Sequence, residues 1–591
     1  MRLLVRYAAM VGSRRRIVPV LGLAGLLSLL ACAERDAPPP EVRGRVLVPA
    51  DAVWRYSLAA QDPALAWAAP GFDDEGWPRG RAPLGRGMEA LATEIPNPAE
   101  ATPPHLTAYF RHGFELAEDA RPIAGLVVRY QQDDGLRVLL NGQELLRHNL
   151  TARELGPGSP AARGAPREEE RRWYRLAVPV TALRAGHNLL AAELHQDRPE
   201  GSDLRFALEL RAFRPQDPVG IVRGPYLQQV SERRALVRFD TDRPARAWVA
   251  HGPRPDLLTK RNEESEPVRQ HAVAFDDLSE TEARYYAIGV GERTLVGRDE
   301  LHRVPRPAAK VRAWITGDQG AANEGARAVR DAMLAVTRDR PPGLWITLGD
   351  NAYPSGSEAE FQAAVFDTYA GLLPRIAFQP SPGNHDLQST HRSEDRGPYF
   401  DVFSPPTAGE AGGVPSGRER WYSFDWGPLH VVSLDTVSGH RRPDGPMLTW
   451  LEQDLALARA SGRWLLAAFH HPPYTRGSHD GVVERATSLV RERIVPILED
   501  AGAAVVFAGH SHTYERSRVG EGAVYVVSGH ASQPGSGPLD HPGMVVSRAD
   551  LRGSILLDAD RCRLEMRAID ERGQVFDRFE LTRPEPCPAA P

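Results

Sequence analysis

The chain has 591 residues, far more than one hydrophobic core accommodates, and at roughly 150 residues per domain this length indicates about four structural units. Hydrophobic residues make up 42% and charged residues 25%, with 72 basic and 77 acidic side chains and a formal net charge of -5. This balance is typical of a multidomain globular protein. It excludes a strongly basic surface, so nucleic acid is not expected as a partner.

The N-terminus has the pattern of an export signal. Several arginines precede the apolar run at 17–30, which is shorter than the roughly 18 residues that a membrane span needs. The run ends in LLAC and resembles the lipobox of bacterial lipoproteins, with 1–31 as signal peptide, Cys32 as the lipidated residue and 32–45 as a Pro-rich linker. That resemblance implies a periplasmic or cell-surface lipoprotein, held to the membrane by its lipid anchor only. The alternative is a short hydrophobic signal with an incidental cysteine.

Two further cysteines, Cys562 and Cys587, remain after Cys32. In an oxidising extracytoplasmic compartment, two such cysteines most economically form one disulfide, which would join the C-terminal tail to the last strand. No cysteine cluster occurs in the sequence, which excludes a thiolate zinc site.

Residues 46–217 contain short apolar runs with period-two alternation between turn signals, which predicts an all-β sandwich. Asn-Gly at 141–142 lies between two apolar runs and predicts a hairpin with a two-residue loop. The runs GFDDEGWPRGRAPLG, DDGLRVLLNG and GHNLLAAELHQDRPEGSDLRFALEL resemble the galactose-binding-like modules of secreted bacterial hydrolases. The resemblance implies glycan binding as one alternative. The other is that Asp133, Asp134 and His195 are turn and packing residues.

Residues 218–308 form a second β region with short strands and no helical period, through GPYLQQVSERRALVRFDTD, ARAWVAHG and ARYYAIGV. The region is similar to a fibronectin type III-like domain of the kind that precedes the catalytic domain in purple acid phosphatases. This domain either forms one side of an active site or serves only as a spacer between its neighbours.

In residues 309–585 the pattern becomes α/β. The buried strands VRAWIT, GLWITL, LHVVSL, WLLAAF and AAVVFA alternate with helical patterns such as EFQAAVFDTYAGLL and MLTWLEQDLALARA. Polar residues follow each strand at once. In α/β sheets, ligands gather beyond the carboxyl ends of the strands, so we expect a site there.

Five short motifs occupy these strand ends: GD at 317–318, GDNAY at 349–353, GNHD at 383–386, HHPPY at 470–474 and GHSH at 509–512. Each motif alone is weak, because Gly-Asp and Gly-Asn pairs are common in ordinary turns. Together they supply carboxylates, a phenol, an amide and several imidazoles to one edge of a sheet. This combination predicts a metal site.

Residues 310–583 resemble the calcineurin-like metallophosphoesterases, and GDQG, GDNAY, GNHD, HxPxY and GHxHxYER resemble the purple acid phosphatase branch of that family. The resemblance implies two metal ions. Carried over by position, it assigns Asp318, Tyr353 and His512 to the first ion, Asn384, His470 and His510 to the second, and Asp350 to both. His470 is preferred to its neighbour His471 because it lies two residues before Pro472, as HxP requires.

The donor types agree with this assignment. The first ligand set contains anionic oxygens and suits Fe(III), whereas the imidazole-rich second set suits Zn(II), Mn(II) or Fe(II). Many relatives have a histidine two residues after the first aspartate, where this chain has Gly320. That departure leaves ligation to Tyr353 and favours the iron-tyrosinate branch.

The resemblance further implies an acid phosphatase that hydrolyses phosphomonoesters by attack of a metal-bound hydroxide. His385 would give a proton to the leaving group, and His479 occupies the place of a second histidine in some plant relatives, where a solvated loop residue is the alternative. Two rival interpretations remain. One is a phosphodiesterase with the same metals, and the other is a glycan-binding surface protein with a relic phosphatase domain.

Overall fold

The computed structural model describes residues 44–59, 66–101, 104–117, 122–278, 283–390, 395–438, 442, 444–520, 522–537, 540, 543–584 and 587. The predicted signal peptide and the lipidation site at Cys32 lie outside these residues. None of the helices in the described ranges has the length and apolar composition that a bilayer crossing requires.

The N-terminal region consists of two sheets packed face to face. Its elements are β1 (Arg45–Val48), β2 (Val53–Ser57), β3 (Arg79–Arg81), β4 (Leu84–Arg86), β5 (Thr93–Glu94), β6 (Thr107–Leu116), β7 (Gly125–Asp133), β8 (Gly135–Leu140), β9 (Gln143–His148), α1 (Arg167–Glu170), β10 (Tyr174–Val178), β11 (Gly186–His195) and β12 (Leu204–Phe213). One six-stranded sheet has the order β10-β7-β12-β4-β5 with β1 on β12, and the other has the order β3-β2-β6-β11-β8-β9. Phe110 of one sheet stacks on Phe206 of the other, with ring centroids 4.2 Å apart.

The predicted hairpin at Asn141-Gly142 is confirmed. The dipeptide joins β8 to β9, and both residues have positive φ, at 51° and 85°. Such a turn matches the twist of the flanking strands, which explains the preference for Asn-Gly there. The side-chain oxygen of Asn141 also accepts a hydrogen bond from the backbone N–H of Leu189, at 2.9 Å, so the turn is attached to β11.

The second β region contributes to two sheets. Its strands are β13 (Ile221–Gln228), β14 (Ala235–Ala245), β15 (Ala247–Gly252), β16 (Lys260–Glu263), β17 (Val268–Phe275), β18 (Tyr285–Val290) and β19 (Arg293–Gly297). Four of these form a small sheet with the order β16-β15-β18-β19. The remaining strands extend the sheet of the following α/β region, because β13 pairs in parallel with a strand there through Leu227 and Ala377.

The C-terminal region is a two-sheet α/β structure. Its elements are β20 (Val311–Thr316), α2 (Glu324–Val336), β21 (Leu344–Thr347), α3 (Glu358–Phe361), β22 (Ala377–Pro380), α4 (Pro398–Val402), β23 (Tyr422–Trp426), β24 (Leu429–Leu434), α5 (Pro446–Ala460), β25 (Trp464–Phe469), α6 (Arg485–Arg493), α7 (Val495–Asp500), β26 (Val505–Ala508), β27 (Tyr514–Arg518), β28 (Val524–Ser528), β29 (Met544–Arg548), β30 (Gly553–Ala559), β31 (Arg563–Asp570) and β32 (Val575–Thr582). The sheets have the orders β17-β14-β13-β22-β21-β20-β30-β31-β32 and β23-β24-β25-β26-β28-β27-β29.

The buried strands predicted from the sequence are confirmed as β20, β21, β24, β25 and β26. Neighbouring strands among them run parallel, so their carboxyl ends meet at one edge of each sheet. One hydrophobic core contains side chains from both sheets, including Ile315, Ile346, Leu466 and Phe507. The sheets therefore pack on each other and bring two sets of strand ends together.

The N-terminal sandwich packs against the α/β region through α3 and the segment after it. Glu360 of α3 is 2% exposed, and its carboxylate accepts hydrogen bonds from the backbone N–H groups of Asn149 and Ser355, both at 2.9 Å. Arg223 of β13 pairs with Glu358 at 2.9 Å. Glu360 thus joins the sandwich directly to the loop that follows the GDNAY motif.

The C-terminal tail is attached to the last sheet by a disulfide. Cys562, in the turn between β30 and β31, is bonded to Cys587, and their Cα atoms lie 5.4 Å apart. The disulfide joins residues that are 25 positions apart in the sequence. Closing such a loop restricts the unfolded chain and stabilises the folded state by about 3 kcal/mol in the chain-entropy model.

Candidate metal centre

The five motifs follow the carboxyl ends of β20, β21, β22, β25 and β26. Three of the ligand candidates have left-handed backbone conformations, with φ of 58° at Asp318, 53° at Asp350 and 67° at His510. Such values are uncommon outside glycine and concentrate at functional sites. A Cβ atom at Gly509 would lie 2.5 Å from Oδ2 of Asp318, so the glycine before His510 is needed for the two loops to approach.

The candidates for the first ion form one compact group. Oη of Tyr353 lies 2.8 Å from Oδ1 of Asp318 and 3.1 Å from Nε2 of His512. The same Nε2 lies 3.3 Å from Oδ1 of Asp318. Three donor atoms from three strand ends therefore meet at one point, with the carboxylate of Asp318 fully buried.

The candidates for the second ion form an adjacent group around His470. Its Nε2 lies 2.8 Å from Oδ1 of Asn384, 3.1 Å from Nδ1 of His510 and 3.4 Å from Oδ2 of Asp350. Oxygens of Asp318 and Asp350 and a ring nitrogen of His470 lie within 4.8 Å of one another. Asp350 is thus positioned beside both groups.

The electrostatics of the centre reflect its burial. Burial and the carboxylates of Asp318 and Asp350 raise the pKa of Tyr353 well above its ordinary value, so its ionisation requires a strong positive charge nearby. Burial also disfavours the charged form of His470, but the negative charges of Asp350 and Asp318 outweigh it and raise the pKa of His470 to about 9. For Asp350, burial is likewise outweighed, here by His470 and His385, and its pKa is lowered.

The ligand histidines are oriented by their second ring nitrogens. Nδ1 of His470 lies 2.9 Å from the carbonyl oxygen of Leu348, which leaves Nε2 for the site. Nε2 of His510 lies 2.8 Å from the carboxylate of Glu484, which leaves Nδ1. The amide of Gln533 lies 3.1 Å from Nδ1 of His512. Glu484 and Gln533 were not predicted from the sequence, because neither belongs to a motif.

The predicted proton donor His385 and the second catalytic candidate His479 both lie near the two donor groups. Nδ1 of His385 lies 2.5 Å from the carbonyl oxygen of Pro354, and its Nε2 lies 3.9 Å from Oδ2 of Asp350, with about a third of the side chain exposed. His479 stacks on His510 with ring centroids 3.8 Å apart and contacts Glu484 at 3.4 Å. His385 therefore faces the centre, whereas His479 lies behind a ligand candidate.

Asp386, the last residue of GNHD, has a structural position that the sequence did not reveal. Its buried carboxylate accepts hydrogen bonds from the backbone N–H groups of Asn351 at 2.8 Å, Ala352 at 3.0 Å and Gly383 at 2.9 Å. Burial, followed by the charge of Asp350, raises the pKa of Asp386 to about 7. Asp386 thereby connects the GDNAY and GNHD loops, which carry three of the ligand candidates.

His471 is not part of either ligand group around Asp350. Its backbone N–H donates to Oγ1 of Thr436 at 3.0 Å, and its Nδ1 lies 3.1 Å from the same oxygen. Its ring packs on His510 with centroids 4.4 Å apart. A ring nitrogen of His471 also lies within 4.8 Å of donor atoms of Glu484 and His510, at the margin of the second group. The preference for His470 stays a prediction.

The donor set fits two cations of different character. The first group offers a carboxylate and a phenol, which are hard oxygen donors, together with one imidazole. The second offers two imidazoles and a neutral amide oxygen, which suit a divalent ion. At position 320, a Cβ would lie 2.5 Å from the backbone at Asn351 and Ala352, so the loop has no space for a histidine there. Oη of Tyr353 instead lies beside Asp318 and His512, so Tyr353 is the candidate for the remaining ligand position.

Comparison with known proteins agrees with this arrangement. Residues 311–514 match the family model of the calcineurin-like phosphoesterases. "Purple acid phosphatase 23" of Arabidopsis thaliana is 27% identical over 277 residues, which cover 42% of this chain and 57% of that protein. "Acid phosphatase type 7" of Mus musculus is 28% identical over 241 residues, covering 37% and 49%. The chain thus spans about half the length of the curated relatives it matches.

A solved structure extends the comparison beyond the matched segment. The purple acid phosphatase PPD1 from yellow lupin (Lupinus luteus) seeds superimposes with a TM-score of 0.53 at 16% identity, over 85% of this chain and 96% of that chain. At this identity the likeness concerns the fold alone.

The fold, the ligand candidates at the strand ends and the family match over residues 311–514 agree in indicating a metallophosphoesterase domain. The domain is calcineurin-like, and among the members of that family it resembles the purple acid phosphatases.

Proposed function

We propose that the chain is a binuclear metal-dependent acid phosphatase that hydrolyses phosphomonoesters. The observation that carries the proposal is the meeting of two donor groups on either side of Asp350, with interatomic distances of 2.8–3.4 Å inside each group. A second support comes from the matched relatives, which are named as acid phosphatases. We further propose Fe(III) for the group around Tyr353 and Zn(II), Mn(II) or Fe(II) for the group around His470.

The bound ions would lower the pKa of water, orient the phosphoryl group and neutralise charge on its oxygens. The side chains of the protein contribute position and one proton. Leu348 and Glu484 hold the rings of His470 and His510 so that one nitrogen of each faces the centre. With Nδ1–H of His385 donating to the carbonyl oxygen of Pro354, a neutral ring carries no proton on Nε2. The imidazolium form would therefore be the one that gives an Nε2 proton to the departing oxygen.

Turnover of two nitrophenyl esters on the metal-loaded protein tests the activity. We expect p-nitrophenyl phosphate to be hydrolysed faster than bis(p-nitrophenyl) phosphate. A preference for the bis ester would instead support the phosphodiesterase alternative, since both substrates release the same chromophore. Loss of turnover in Asp350→Ala, with Glu492→Gln on the exposed face of α6 as the control, connects the activity to this centre.

For the two N-terminal regions we propose particular folds. We propose a galactose-binding-like fold for 46–217 and a fibronectin type III-like fold for 218–308, on their strand patterns and on the two packed sheets. Glycan binding by the sandwich, with a catalytically inactive phosphatase domain, is the alternative from another class. An array of glycans that retains the full chain, combined with no turnover of either nitrophenyl ester, would favour it.

The cellular location also stays a proposal. The sequence pattern at 1–31 and Cys32 supports export and lipidation. Cys32→Ser is expected to release the protein into the soluble fraction or to leave an unprocessed precursor. Unchanged membrane fractionation of this variant would end the lipoprotein proposal.

A further inference from the structure

A second group of carboxylates lies in the N-terminal sandwich, outside the metal centre. Asp133 ends β7, Glu170 ends α1 and Asp203 directly precedes β12. One oxygen from each of the three lies within 4.8 Å of the other two. Ligands of one Ca²⁺ ion, bound at about 2.3–2.6 Å, cannot be more than about 5 Å apart. The three oxygens therefore lie within reach of a single ion.

Two buried oxygens at or beside this group receive no N–H or hydroxyl donor from the described residues. Asp133 is 2% exposed, and no N–H or hydroxyl group of the described residues donates to its Oδ2, although its carboxyl contacts the carboxyl of Asp134. Gln196 is fully buried, and its Nε2 donates to the backbone oxygen of Asp203 at 3.1 Å. The amide oxygen of Gln196, held beside Asp203 in this way, also lacks a partner in the described part of the chain. A buried oxygen without a donor destabilises the fold, and a cation would satisfy both oxygens.

The carboxylates around Asp133 change the pKa of its side chain. Burial, followed by the carboxylates of Asp134, Asp203 and Glu170, raises the pKa of Asp133 to about 10. Asp134 is itself engaged, since its two oxygens accept backbone N–H groups at 2.7 and 2.8 Å. Burial and the neighbouring carboxylates thus favour the protonated form of Asp133, and a bound cation would displace that proton.

Nearby arginines offset this charge only in part. Burial, followed by the charge of Asp203, raises the pKa of Glu170, and the positive charges of Arg167 and Arg171 oppose the rise. Nε of Arg205 donates to the side-chain oxygen of Gln131 at 2.9 Å, and its Nη1 donates to the backbone oxygen of Glu89 at 3.3 Å. Neither of these two hydrogen bonds goes to one of the three carboxylates.

We propose that Asp133, Glu170 and Asp203 bind one Ca²⁺ ion, with the amide oxygen of Gln196 as a neutral ligand. All these donors are oxygens, which excludes the imidazole and thiolate chemistry that transition metals prefer. Ca²⁺ accepts an irregular arrangement of carboxylate and amide oxygens, whereas Mg²⁺ demands a near-ideal octahedron and retains most of its water.

The ion would fix the position of α1 on the sandwich, and α1 contacts the phosphatase domain. Glu168 of α1 accepts a hydrogen bond from the backbone N–H of Glu324, the first residue of α2, at 2.8 Å, and it also pairs with Arg327. The loop before α2 begins at Asp318, a ligand candidate of the metal centre. Calcium in the sandwich therefore stabilises a contact between the two regions.

Isothermal titration calorimetry of the full, metal-loaded chain with CaCl₂, accompanied by thermal unfolding, tests this proposal. We expect binding of Ca²⁺ and a rise in Tm of roughly 2–4 °C at saturation, with a weaker response to MgCl₂. Asp203→Asn and Glu170→Gln keep the side-chain shape and should each weaken Ca²⁺ binding by about tenfold or more. Asp51→Asn, an exposed carboxylate of the same sandwich, should not.

Asp350→Ala separates this site from the catalytic centre, because it should retain Ca²⁺ binding while turnover is lost. Absence of Ca²⁺ binding in the parent protein would overturn the proposal, whatever the variants do. Binding that survives both Asp203→Asn and Glu170→Gln, or that disappears in Asp350→Ala, would overturn it equally, because the ion would then lie elsewhere.

Discussion

The metal centre and the sandwich both gather carboxylates at strand ends, but they compensate the charge differently. In the metal centre, Asp318 is surrounded by a phenol, an imidazole and the backbone N–H of His510 at 2.8 Å. In the sandwich, Asp133 lies beside other carboxylates, and no N–H or hydroxyl group in the described ranges donates to its Oδ2. The protein supplies the compensating groups in the first arrangement, whereas in the second the proposed Ca²⁺ ion would supply the positive charge.

In the metal centre, neighbouring groups orient the histidine rings although they do not neutralise the charge of the whole centre. Glu484 and Leu348 determine which nitrogen of His510 and His470 faces the centre, so the donors are already aligned. In the sandwich, Ser202 donates to Oδ1 of Asp203 at 2.9 Å, but Oδ2 of Asp133 receives no N–H or hydroxyl donor from the described residues. We therefore expect changes in the metal centre to affect chemistry most, and changes in the sandwich to affect stability.

The largest expected effect comes from Asp350→Ala. This change removes a carboxylate that lies beside both donor groups, so we expect loss of bound metal and a fall in kcat/KM for p-nitrophenyl phosphate of more than about 10³-fold. Asn384→Ala, which removes one donor from one group, should be less damaging. Metal content in Asp350→Ala equal to that of the parent would contradict a bridging position.

His385→Ala is expected to lower turnover of an alkyl phosphate by about 10²- to 10⁴-fold, because an alkoxide needs a proton to leave. The loss on p-nitrophenyl phosphate should be far smaller, since nitrophenolate leaves unprotonated. Metal analysis of the variant serves as the control and should show no change. If both substrates suffer alike and metal is lost, His385 is a ligand; equal sensitivity to the leaving group in variant and parent also rules out proton donation.

Glu484→Gln tests whether the contact of Glu484 with His510 supports metal binding. The carboxylate contacts His510 at 2.8 Å and His479 at 3.4 Å, and its replacement should weaken metal affinity or activity by about 10- to 100-fold. His479→Ala should have a smaller effect if this ring only packs on His510. A loss in His479→Ala as large as in Glu484→Gln would instead assign His479 a direct role.

Substitution of His430 is expected to have the smallest effect on activity. His430 is a buried side chain whose two ring nitrogens both contact carboxylates. Its ring nitrogens lie 2.8 Å from Asp425 and 2.7 Å from Asp454. Burial opposes protonation, but the two carboxylates outweigh it and raise the pKa of His430 to about 9. Because this pKa exceeds that of the unfolded chain, the stabilisation is complete below about pH 6.5 and disappears as pH rises through 9.

The predicted loss is about 3 kcal/mol of unfolding free energy between pH 6.5 and 10, from a pKa difference of roughly 2.5 units. Thermal unfolding of the parent and of His430→Gln across this pH range measures it. The variant should lack this part of the pH dependence, whereas His187→Gln, an exposed histidine, should retain it. Parallel pH profiles for His430→Gln and the parent would contradict the assignment.

Much of the α/β region could be predicted from local sequence, because buried strands followed at once by Gly-Asp, Gly-Asn or His-containing motifs have few other interpretations. The hairpin at Asn141-Gly142 is equally local. The segment EFQAAVFDTYAGLL was predicted as helical, and the structure divides it into the short α3, a π-helical turn at Gln362–Asp367 and irregular backbone. Thr368 contributes to the wider turn, since its Oγ1 donates to the carbonyl of Ala363 at 2.8 Å.

Features that depend on distant pairing could not be predicted. The boundary expected near 308 separates strands that share one continuous sheet, because Leu227 of β13 pairs with Ala377 of β22. Glu484 lies in an unremarkable polar loop and acquires its role only when α6 is folded beside His510. Asp133 was interpreted as a turn residue, and only the fold places Glu170 and Asp203 next to it.

Counting transition-metal ions per chain tests the central claim most directly. Plasma mass spectrometry of the metal-loaded parent should find two ions, one of them iron, together with a visible phenolate-to-iron absorption band. Tyr353→Phe should lose the band and iron occupancy, whereas Asn384→Ala should lose the second ion and keep the band. A parent with at most one ion, or metal counts unchanged in both variants, would contradict a binuclear centre built from these residues.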